Sequence, residues 1–245
     1  MYENIKNLTT LWKQIGVLNG QYAHKDGLNL SICSQSEWPN RLWFDDVADE
    51  EILNKSIALF KNTHSKIKLS TFLPLDILHN EEFKKLMNKK GFSILSMQYG
   101  MFRKVENFQN EENPIKFHKV INEEEALIWA KIFQFSFNYQ ITTSQILLSF
   151  EDYDCILVLQ NSEIIGCCMC FSINLKIIGL HAFAIHPKFQ RKGLGTATMK
   201  ALLNDFAKKG YKHIVLQSSE NGHNLYQQLG FNDQFLMFNY ELKNK

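Results

Sequence analysis

A short basic loop between a strand and a helix combines glycines and cations in an arrangement that suits an anion. The loop, Gln190–Thr196, places Gly193 and Gly195 beside the cations Arg191 and Lys192. The first turn of a helix leaves about four N–H groups unpaired, and the macrodipole adds roughly half a positive charge there. Glycines also let the backbone approach a ligand closely. The loop is therefore predicted to bind a pyrophosphate.

The same loop also fits an ordinary strand–turn–helix connection with two incidental glycines. The strand ends at Ile185, Pro187 cannot continue its hydrogen-bond ladder, and a helix with an apolar face follows from Thr196. No Gly-Lys-Ser/Thr stands at the helix start, and the three-glycine dinucleotide spacing is missing. The loop is thus unlike both of those nucleotide-binding loops.

The strands and helices around this loop follow the pattern of an α/β protein with a mixed (α+β) sheet. Strands joined by hairpins come first, and strands alternating with helices follow. In the C-terminal half we predict strands at Ile115–Ile121, Cys155–Gln160, Ile164–Ile173, Lys176–Ile185, Tyr211–Gln217 and Asn232–Lys243, and helices at Glu123–Phe137, Thr143–Phe150, Gly195–Lys209 and Gly222–Leu229. In the N-terminal half we predict strands at Leu28–Ser34, Arg41–Phe44, Ile67–Leu73 and Ser93–Lys104, and helices at Ile5–Ile15, Ala48–Thr63 and Glu81–Lys90.

A second motif, Leu225-Tyr226-Gln227-Gln228-Leu229-Gly230-Phe231, follows the loop after one helix and one strand. The loop resembles the Gln/Arg-x-x-Gly-x-Gly/Ala acyl-CoA signature of the GNAT acetyltransferase superfamily. The second motif is similar to that family's closing Leu-Tyr-x-x-Leu-Gly-Phe helix end. The resemblance covers residues 115–245. It implies a GNAT fold, acetyl-CoA as cosubstrate without a metal, and acetyl transfer to the amine of a small molecule or peptide.

The resemblance also implies a role for each matching position. Backbone groups of the strand end would pair with the pantetheine arm, the loop N–H groups would hold the pyrophosphate, and Tyr226 would face the thioester sulfur. The cofactor-binding residues expected on this basis are Phe183, Ala184, Ile185, Gln190, Arg191, Lys192, Gly193, Leu194, Gly195 and Thr196.

Elementary chemistry supports the role that the resemblance implies for Tyr226. A thiolate must leave, and a tyrosine with pKa ~10 can donate a proton or a hydrogen bond to the sulfur of a thiol with pKa ~8.5. The alternative is a half-buried aromatic residue on an amphipathic helix.

The base that takes the proton of the amine is harder to place. Some family members have a glutamate where this chain has Gly179, so this sequence departs from the pattern. His181 lies two residues later on the same strand face and titrates near neutral pH, which makes it the candidate base. The alternative is a packed histidine with a water chain in its place. Glu220 and His223 are weaker candidates, and Ser219 and Gly222 are further departures from the pattern.

The two halves of the chain resemble each other. Lys85–Phe92 is similar to Asn224–Phe231, with an offset of 139 residues between Gly91 and Gly230, and each reads as a helix closed by a glycine and followed by a strand. We therefore divide the chain into a degenerate GNAT-like domain (residues 1–105), a linker (106–114) and a catalytic domain (115–245).

The N-terminal copy lacks the residues that a cofactor would need. At the fixed offset Tyr226 maps to Met87, and the helix start there, Asp45–Glu51, is acidic. The same offset maps Gln190, Gly193 and Gly195 to Glu51, Asn54 and Ser56. Ser36–Arg41 resembles a segment of tandem family members. We infer a pseudo-domain that helps to wall the acceptor site, with Trp38, Trp43 and Phe44 as either wall or core residues.

Composition excludes several functional classes. The chain has 45% hydrophobic residues and a net charge of +2 without a clustered basic face, so neither nucleic acid nor membrane is an expected partner. With no signal-peptide or membrane-spanning pattern, we expect a cytoplasmic protein. The odd number of cysteines (Cys33, Cys155, Cys167, Cys168 and Cys170) favours buried reduced thiols over disulfides or a metal site.

Two functional hypotheses remain at this point. The first is an acetyl-CoA-dependent N-acetyltransferase, and the alternative is a catalytically inactive acyl-CoA-binding module or sensor. The sequence motifs do not identify the amine acceptor. The segment Asn138–Ser144 is a candidate pocket wall, and Glu151 and Asp152 are possible partners for a cationic amine.

Overall fold

A computed structural model describes residues 1–45, 49–63, 66–106, 114–148 and 153–243, and for residues 77–80 the backbone alone. These residues form an eleven-stranded mixed sheet flanked by helices. The strands are β1 (Gly20–Lys25), β2 (Leu28–Cys33), β3 (Arg41–Phe44), β4 (Lys68–Leu73), β5 (Phe92–Lys104), β6 (Ile115–Lys119), β7 (Asp154–Gln160), β8 (Glu163–Asn174), β9 (Ile177–Ile185), β10 (His213–Ser219) and β11 (Asn232–Leu242). The helices are α1 (Tyr2–Asn19), α2 (Glu50–Asn62), α3 (Ile77–Lys89), α4 (Glu123–Phe137), α5 (Thr143–Leu147), α6 (Leu194–Lys208) and α7 (Glu220–Gln228).

The α/β fold class is confirmed, and one strand escaped the sequence-based prediction. Strand β1 is polar and almost wholly exposed, so it lacks the apolar alternation that marks a half-buried strand. It pairs with β2 through Asp26-Gly27, whose φ angles of 53° and 76° fit a type I′ turn. The Asp-Gly dipeptide was the available signal for this hairpin.

The sheet order is nearly symmetric about the β11–β5 pair, and within the described sheet β6 has no counterpart. It runs β1-β2-β3-β4-β11-β5-β10-β9-β8-β7-β6, so each N-terminal strand from β1 to β4 has a counterpart from β7 to β10. The last strands of the two halves are exchanged. Strand β5 pairs with β10, and β11 pairs with β4 as well as with β5. The halves therefore share one continuous sheet.

The two halves share the helix–glycine–strand unit that their sequences have in common. Helix α3 and helix α7 each end before a left-handed glycine, Gly91 (φ 90°) and Gly230 (φ 80°), and each leads into one of the exchanged strands. The fixed-offset mapping of the loop residues is wrong, because Glu51, Asn54 and Ser56 lie inside α2. Helices α2 and α6 begin 144 positions apart rather than 139, so a short length difference separates the two copies.

Helices cover both faces of the sheet. On one face α1, α4 and α5 pack over a core that includes Leu11, Trp129 and Phe133. On the other face, α6 contributes Met199 and Leu202 to a second core, and α7 contributes Tyr226. Helix α1 also contacts a separate aromatic cluster around its own Trp12 in the N-terminal half. Because it belongs to both clusters, α1 joins the two halves.

The remaining boundaries differ from the predicted ones by a few residues. Helix α5 ends at Leu147, and Ser149 and Phe150 lie outside the described residues. Most of the predicted linker, residues 107–113, lies outside them as well. Among the helices of the described part, none is both long and apolar enough to cross a bilayer.

Candidate active site

Strands β9 and β10, which are neighbours in the sheet, separate toward their carboxyl ends. Their parallel pairing begins at Ile177 and His213 and ends at Leu180 and Leu216, although β9 continues to Ile185 and β10 to Ser219. Beyond that point an opening lies between the two strands. An open strand edge presents N–H and C=O groups that an extended ligand can pair with.

An irregularity in β9 lies beside this opening. The register against β8 shifts between Met169↔His181 and Cys167↔Ala184, and Ala182 takes a left-handed φ of 51°. A bulge of this kind bends its strand and re-aims neighbouring side chains, and bulges are common beside active sites.

The glycine loop leads from the strand end into α6 as predicted. After a short 3-10 turn at Pro187–Phe189, Arg191 and Gly193 take left-handed φ angles of 59° and 75°. Gly193 is the N-cap residue of α6 and supplies no side-chain acceptor. Within the described residues, no side chain caps this helix start. Its first-turn N–H groups therefore remain available to an anion.

Gln190 serves the loop itself. Its side chain donates a 2.8 Å hydrogen bond from Nε2 to the carbonyl of Ile185 and so ties the loop to the end of β9. A positive φ at the non-glycine residue Arg191 needs such support, because it is a sparsely populated conformation.

Opening and loop belong to one cleft of about 870 Å³. Of the twelve residues expected at the site, ten line it: His181, Phe183, Ile185, Gln190, Arg191, Gly193, Leu194, Gly195, Thr196 and Tyr226. The other two are Ala184 and Lys192. Ala184 is buried against the core on the α4 side of the sheet, and Lys192 is exposed near the Phe189 ring.

Tyr226 is buried in the wall of this cleft. It is 8% exposed and packs edge-on against Phe231 at 5.5 Å. Burial raises the pKa of Tyr226 well above its usual value, and a nearby thiol, Cys168, adds to the effect. The hydroxyl is therefore neutral and able to donate at all ordinary pH values.

His181 also lines the cleft, but it is held by a residue from the other half. Asn7 of α1 donates from Nδ2 to the carbonyl of Phe171, so its Oδ1 faces His181 and accepts from Nε2–H at 2.9 Å. In this tautomer Nδ1 is the basic nitrogen, and the ring also forms a side-chain hydrogen bond with Gln217. Burial lowers the pKa of His181 to about 4. The ring is neutral at neutral pH and only weakly basic.

Asn7 explains the glycine at position 179. A Cβ on Gly179 would lie 1.9 Å from Asn7 Oδ1 and 2.6 Å from His181 Nε2. The space that a side chain on β9 would need is thus filled by α1.

The weaker base candidates lie away from the cleft. Glu220 is exposed, and His223 stacks on Tyr99 and bonds to Asp233 at 2.8 Å. Ser219 does line the cleft and caps α7 through Gly222 N–H. Glu151 and Asp152 lie outside the described residues.

The rest of the cleft wall comes partly from the N-terminal half. Trp38, Trp43 and Phe44 were predicted to be either wall or core residues. Trp38 lines the cleft, whereas Trp43 and Phe44 are core residues. Sequence reasoning missed Trp12 and Arg41, which also line the cleft. Tyr139 lies in the predicted wall segment Asn138–Ser144. Further lining residues are Leu8, Ser96, Met97, Gln98, Phe133 and Asn239.

The cysteines take no visible part in the site. All five are free and buried, as predicted. Cys167 and Cys168 pack on opposite faces of the sheet, because neighbouring strand residues alternate. Within the described chain, no three His, Cys, Asp or Glu side chains are grouped so that they could hold a metal ion.

Known proteins resemble this chain at two levels. Residues 122–231 match the Acetyltransferase (GNAT) family model. No curated protein matches the chain. Among solved structures, a GCN5-related N-acetyltransferase from Kribbella flavida superposes with a TM-score of 0.69 at 14% identity, covering 99% of this chain and 97% of that one.

Two more solved structures share the fold over most of its length. A functionally unknown conserved protein from Staphylococcus epidermidis has a TM-score of 0.62 at 15% identity, covering 93% of this chain and 96% of its own. A GCN5-related N-acetyltransferase from Sphaerobacter thermophilus has a TM-score of 0.60 at 12% identity, covering 87% and 76%. The family match spans the loop and the Tyr226 motif, so residues 122–231 form a GNAT acetyltransferase-family domain, and the likenesses to solved structures show that the fold extends over most of the chain.

Proposed function

We propose that the protein is an acetyl-CoA-dependent N-acetyltransferase that acts on the primary amine of a small molecule or peptide. The observation that carries the proposal is the uncapped start of α6 at Gly193, placed at the mouth of the opening between β9 and β10. One ligand that combines a pyrophosphate with an extended amide-bearing arm fits both features at once.

The arm would run along the free edge of β9. Phe183 and Ile185 line the cleft on this stretch, and the backbone there has no partner strand on the β10 side. The pyrophosphate would sit against the N–H groups of residues 192–196, with Arg191 supplying a cation. This arrangement brings the thioester toward Tyr226, deeper in the same cleft.

The chemistry divides between two neutral side chains. The amine nitrogen attacks the thioester carbonyl, a C–N bond forms, the C–S bond breaks and a thiolate leaves. Tyr226 would donate to the departing sulfur. Because its pKa is raised by burial, stabilisation of the thiolate by a hydrogen bond is favoured over full proton transfer.

His181 is the group that we assign to the amine proton. It would accept through Nδ1, since Nε2 donates to Asn7. With a pKa of about 4 it holds a proton weakly. The proton must therefore pass on to water in the open cleft, and the contribution of His181 should be modest.

The N-terminal half is proposed to be a copy that has lost its cofactor site. The N-cap of α2 is Asp49, whose carboxylate accepts from Ile52 N–H at 2.8 Å and occupies the place of an anion. Met87, at the position equivalent to Tyr226, is fully buried. This half instead supplies walls of the acceptor cleft.

Calorimetric titration with acetyl-CoA tests the proposal. Wild-type protein should bind with a dissociation constant on the order of micromolar, and Gly193→Asp should weaken binding by about tenfold or more, because a carboxylate replaces the anion at the helix start. Gly210→Asp is the matched control. Both glycines have a left-handed φ (75° and 87°) and open space around an added Cβ, but Gly210 follows the other end of α6.

The outcomes separate the two hypotheses. If folded wild-type protein gives no binding, the acetyl-CoA proposal is rejected. If acetyl-CoA binds but a broad amine panel releases no thiol, the protein is an inactive acyl-CoA-binding module. Equal losses in both glycine variants would mean that backbone strain, not the loop, explains the effect.

A further inference from the structure

Arg41 is a buried cation in the wall of the cleft. It is 5% exposed, and its Nη1 donates to the carbonyls of Pro39 (2.5 Å) and Asn40 (3.3 Å). Within the described residues, no carboxylate forms an ion pair with it, and its guanidinium also forms a hydrogen bond with the side chain of Tyr139. A buried charge without a counter-charge is costly and calls for an explanation.

The unused donors of this wall lie close together. Nε of Arg41 is buried, and no described group accepts from it. The same is true of the indole Nε1 of Trp12, whose ring lies 5.7 Å from the Arg41 guanidinium carbon. Both residues line the cleft. Two unsatisfied buried donors in one wall are what an anionic acceptor would satisfy.

A second cation reinforces the first. Lys68 is the neighbour of Arg41 in the parallel β3–β4 pair, so both side chains leave the same face of the sheet. Its ammonium donates to the hydroxyl of Tyr139 and lies 4.2 Å from the centre of that ring. Like charges side by side are unfavourable unless an anion joins them.

Tyr139 reports the positive potential at this place. Burial alone would raise its pKa, but the Arg41 charge and the Lys68 hydrogen bond and charge together lower it. Among the described residues that line the cleft, none is an aspartate or a glutamate. The wall that faces the acceptor is thus positive, with Arg41 and Lys68 grouped around one hydroxyl.

We propose that Arg41, Trp12 and Tyr139, backed by Lys68, form the binding site for an anionic oxygen group, a carboxylate or a phosphate, of the acceptor amine. The proposal rests on the proposed function and narrows its substrate class. Arg41 lines the cleft, and its guanidinium suits planar oxygens because such a group donates parallel hydrogen bonds to them. Polycationic acceptors are disfavoured, since the same wall repels them.

Matched amines test the proposal on the wild-type enzyme. Glycine, β-alanine and γ-aminobutyrate are compared with their amides, phosphoethanolamine with ethanolamine, and spermidine serves as the polycation. We expect at least one anionic amine to exceed its neutral counterpart by about tenfold or more in kcat/KM. The phosphate and carboxylate arms decide which group is bound. Equal or faster turnover of the neutral or cationic member in every pair would overturn the proposal.

Variants assign the effect to this wall. Lys68→Met should reduce the preference for anionic amines by raising KM, and Arg41→Lys should do the same, because a lysine cannot present the planar donor edge. Lys84→Met is the control, since Lys84 is also half-buried over an aromatic ring (5.0 Å from that of Phe238) but lies outside the cleft. An unchanged preference in both Lys68→Met and Arg41→Lys would contradict the assignment.

A second measurement is independent of turnover. Acetate and acetamide are compared as additives in thermal unfolding at constant ionic strength. Acetate should raise Tm of the wild type more than acetamide does, and the difference should vanish in Lys68→Met. It should persist in Gly193→Asp, which disables the other anion site. If the wild type does not bind acetyl-CoA but shows the acetate effect, only the enzyme proposal is rejected. If acetate has no effect on the wild type, the proposed anion site is rejected.

Discussion

Burial acts on Tyr226 and His181 in opposite directions and leaves both side chains neutral. Loss of solvent disfavours a charge, so it raises the pKa of the phenol and lowers that of the imidazole to about 4. A neutral donor and a neutral acceptor therefore lie in one cleft at neutral pH. Neither pKa lies near 7, so in the proposed reaction the positioning of the amine and of the thioester should supply much of the rate.

Substitution of Tyr226 tests the donor at this scale. Tyr226→Phe should lower kcat by roughly 10²-fold, because the hydrogen bond to the departing sulfur is lost. Acetyl-CoA affinity by calorimetry should stay within about twofold, since the ring remains in place. Tyr211→Phe is the control, a partly buried tyrosine that packs against Phe206 away from the cleft. Full activity in Tyr226→Phe would remove the tyrosine from the mechanism.

At the scale of elements, α1 is tied into the C-terminal half of the sheet. Asn7 spans from α1 to the carbonyl of Phe171 on β8 and to His181 on β9. Asn4 on the same helix donates to Met101 O on β5, and Gln217 of β10 donates to it. These buried polar contacts fix α1 over the point where the sheet opens. The base candidate is therefore oriented by the half of the chain that has no cofactor motif.

A double-mutant cycle measures this packing. Gly179→Ala should cost about 1–3 kcal/mol in the free energy of unfolding, because the added Cβ displaces Asn7 and breaks its hydrogen bonds. On an Asn7→Ala background the cost should become smaller. Denaturant unfolding gives both values, and Gly210→Ala paired with Asn7→Ala should be additive. Additivity at Gly179 as well would show that Asn7 does not fill the space.

The whole molecule is held together by the exchange of its last strands. Strand β5 lies between β10 and β11, and β11 lies between β4 and β5. Each half therefore completes the sheet of the other. Cleavage between residues 105 and 115 would give two fragments that pair with each other, because β5 pairs with β10 and β11, and β4 pairs with β11.

Fragments test the consequence for the predicted domains. Residues 1–105 and 115–245 produced separately should each lack a cooperative unfolding transition, because an unpaired central strand edge is exposed. Produced together, they should copurify and bind acetyl-CoA as the intact chain does. A cooperative, acetyl-CoA-binding fragment 115–245 would instead support an independent catalytic domain.

Elements whose signals are local could be predicted from the sequence. The loop at Gly193 and the helix ends at Gly91 and Gly230 were predictable, because positive φ angles and helix starts leave a residue-level signature. The apolar strands of the C-terminal half were predictable for the same reason, through their runs of buried residues. The hairpin at Asp26-Gly27 carried its own signal, although its polar strand obscured it.

Contacts between residues far apart in the chain could be seen only in the folded molecule. Arg41 and Tyr139 lie 98 positions apart, and Asn7 and His181 lie 174 apart, so no spacing rule brings them together. Strand exchange places the N-terminal half against the cleft. Burial there leaves Arg41 with an unsatisfied Nε donor and makes His181 a weak base. Both effects are properties of desolvation, which a linear sequence does not display.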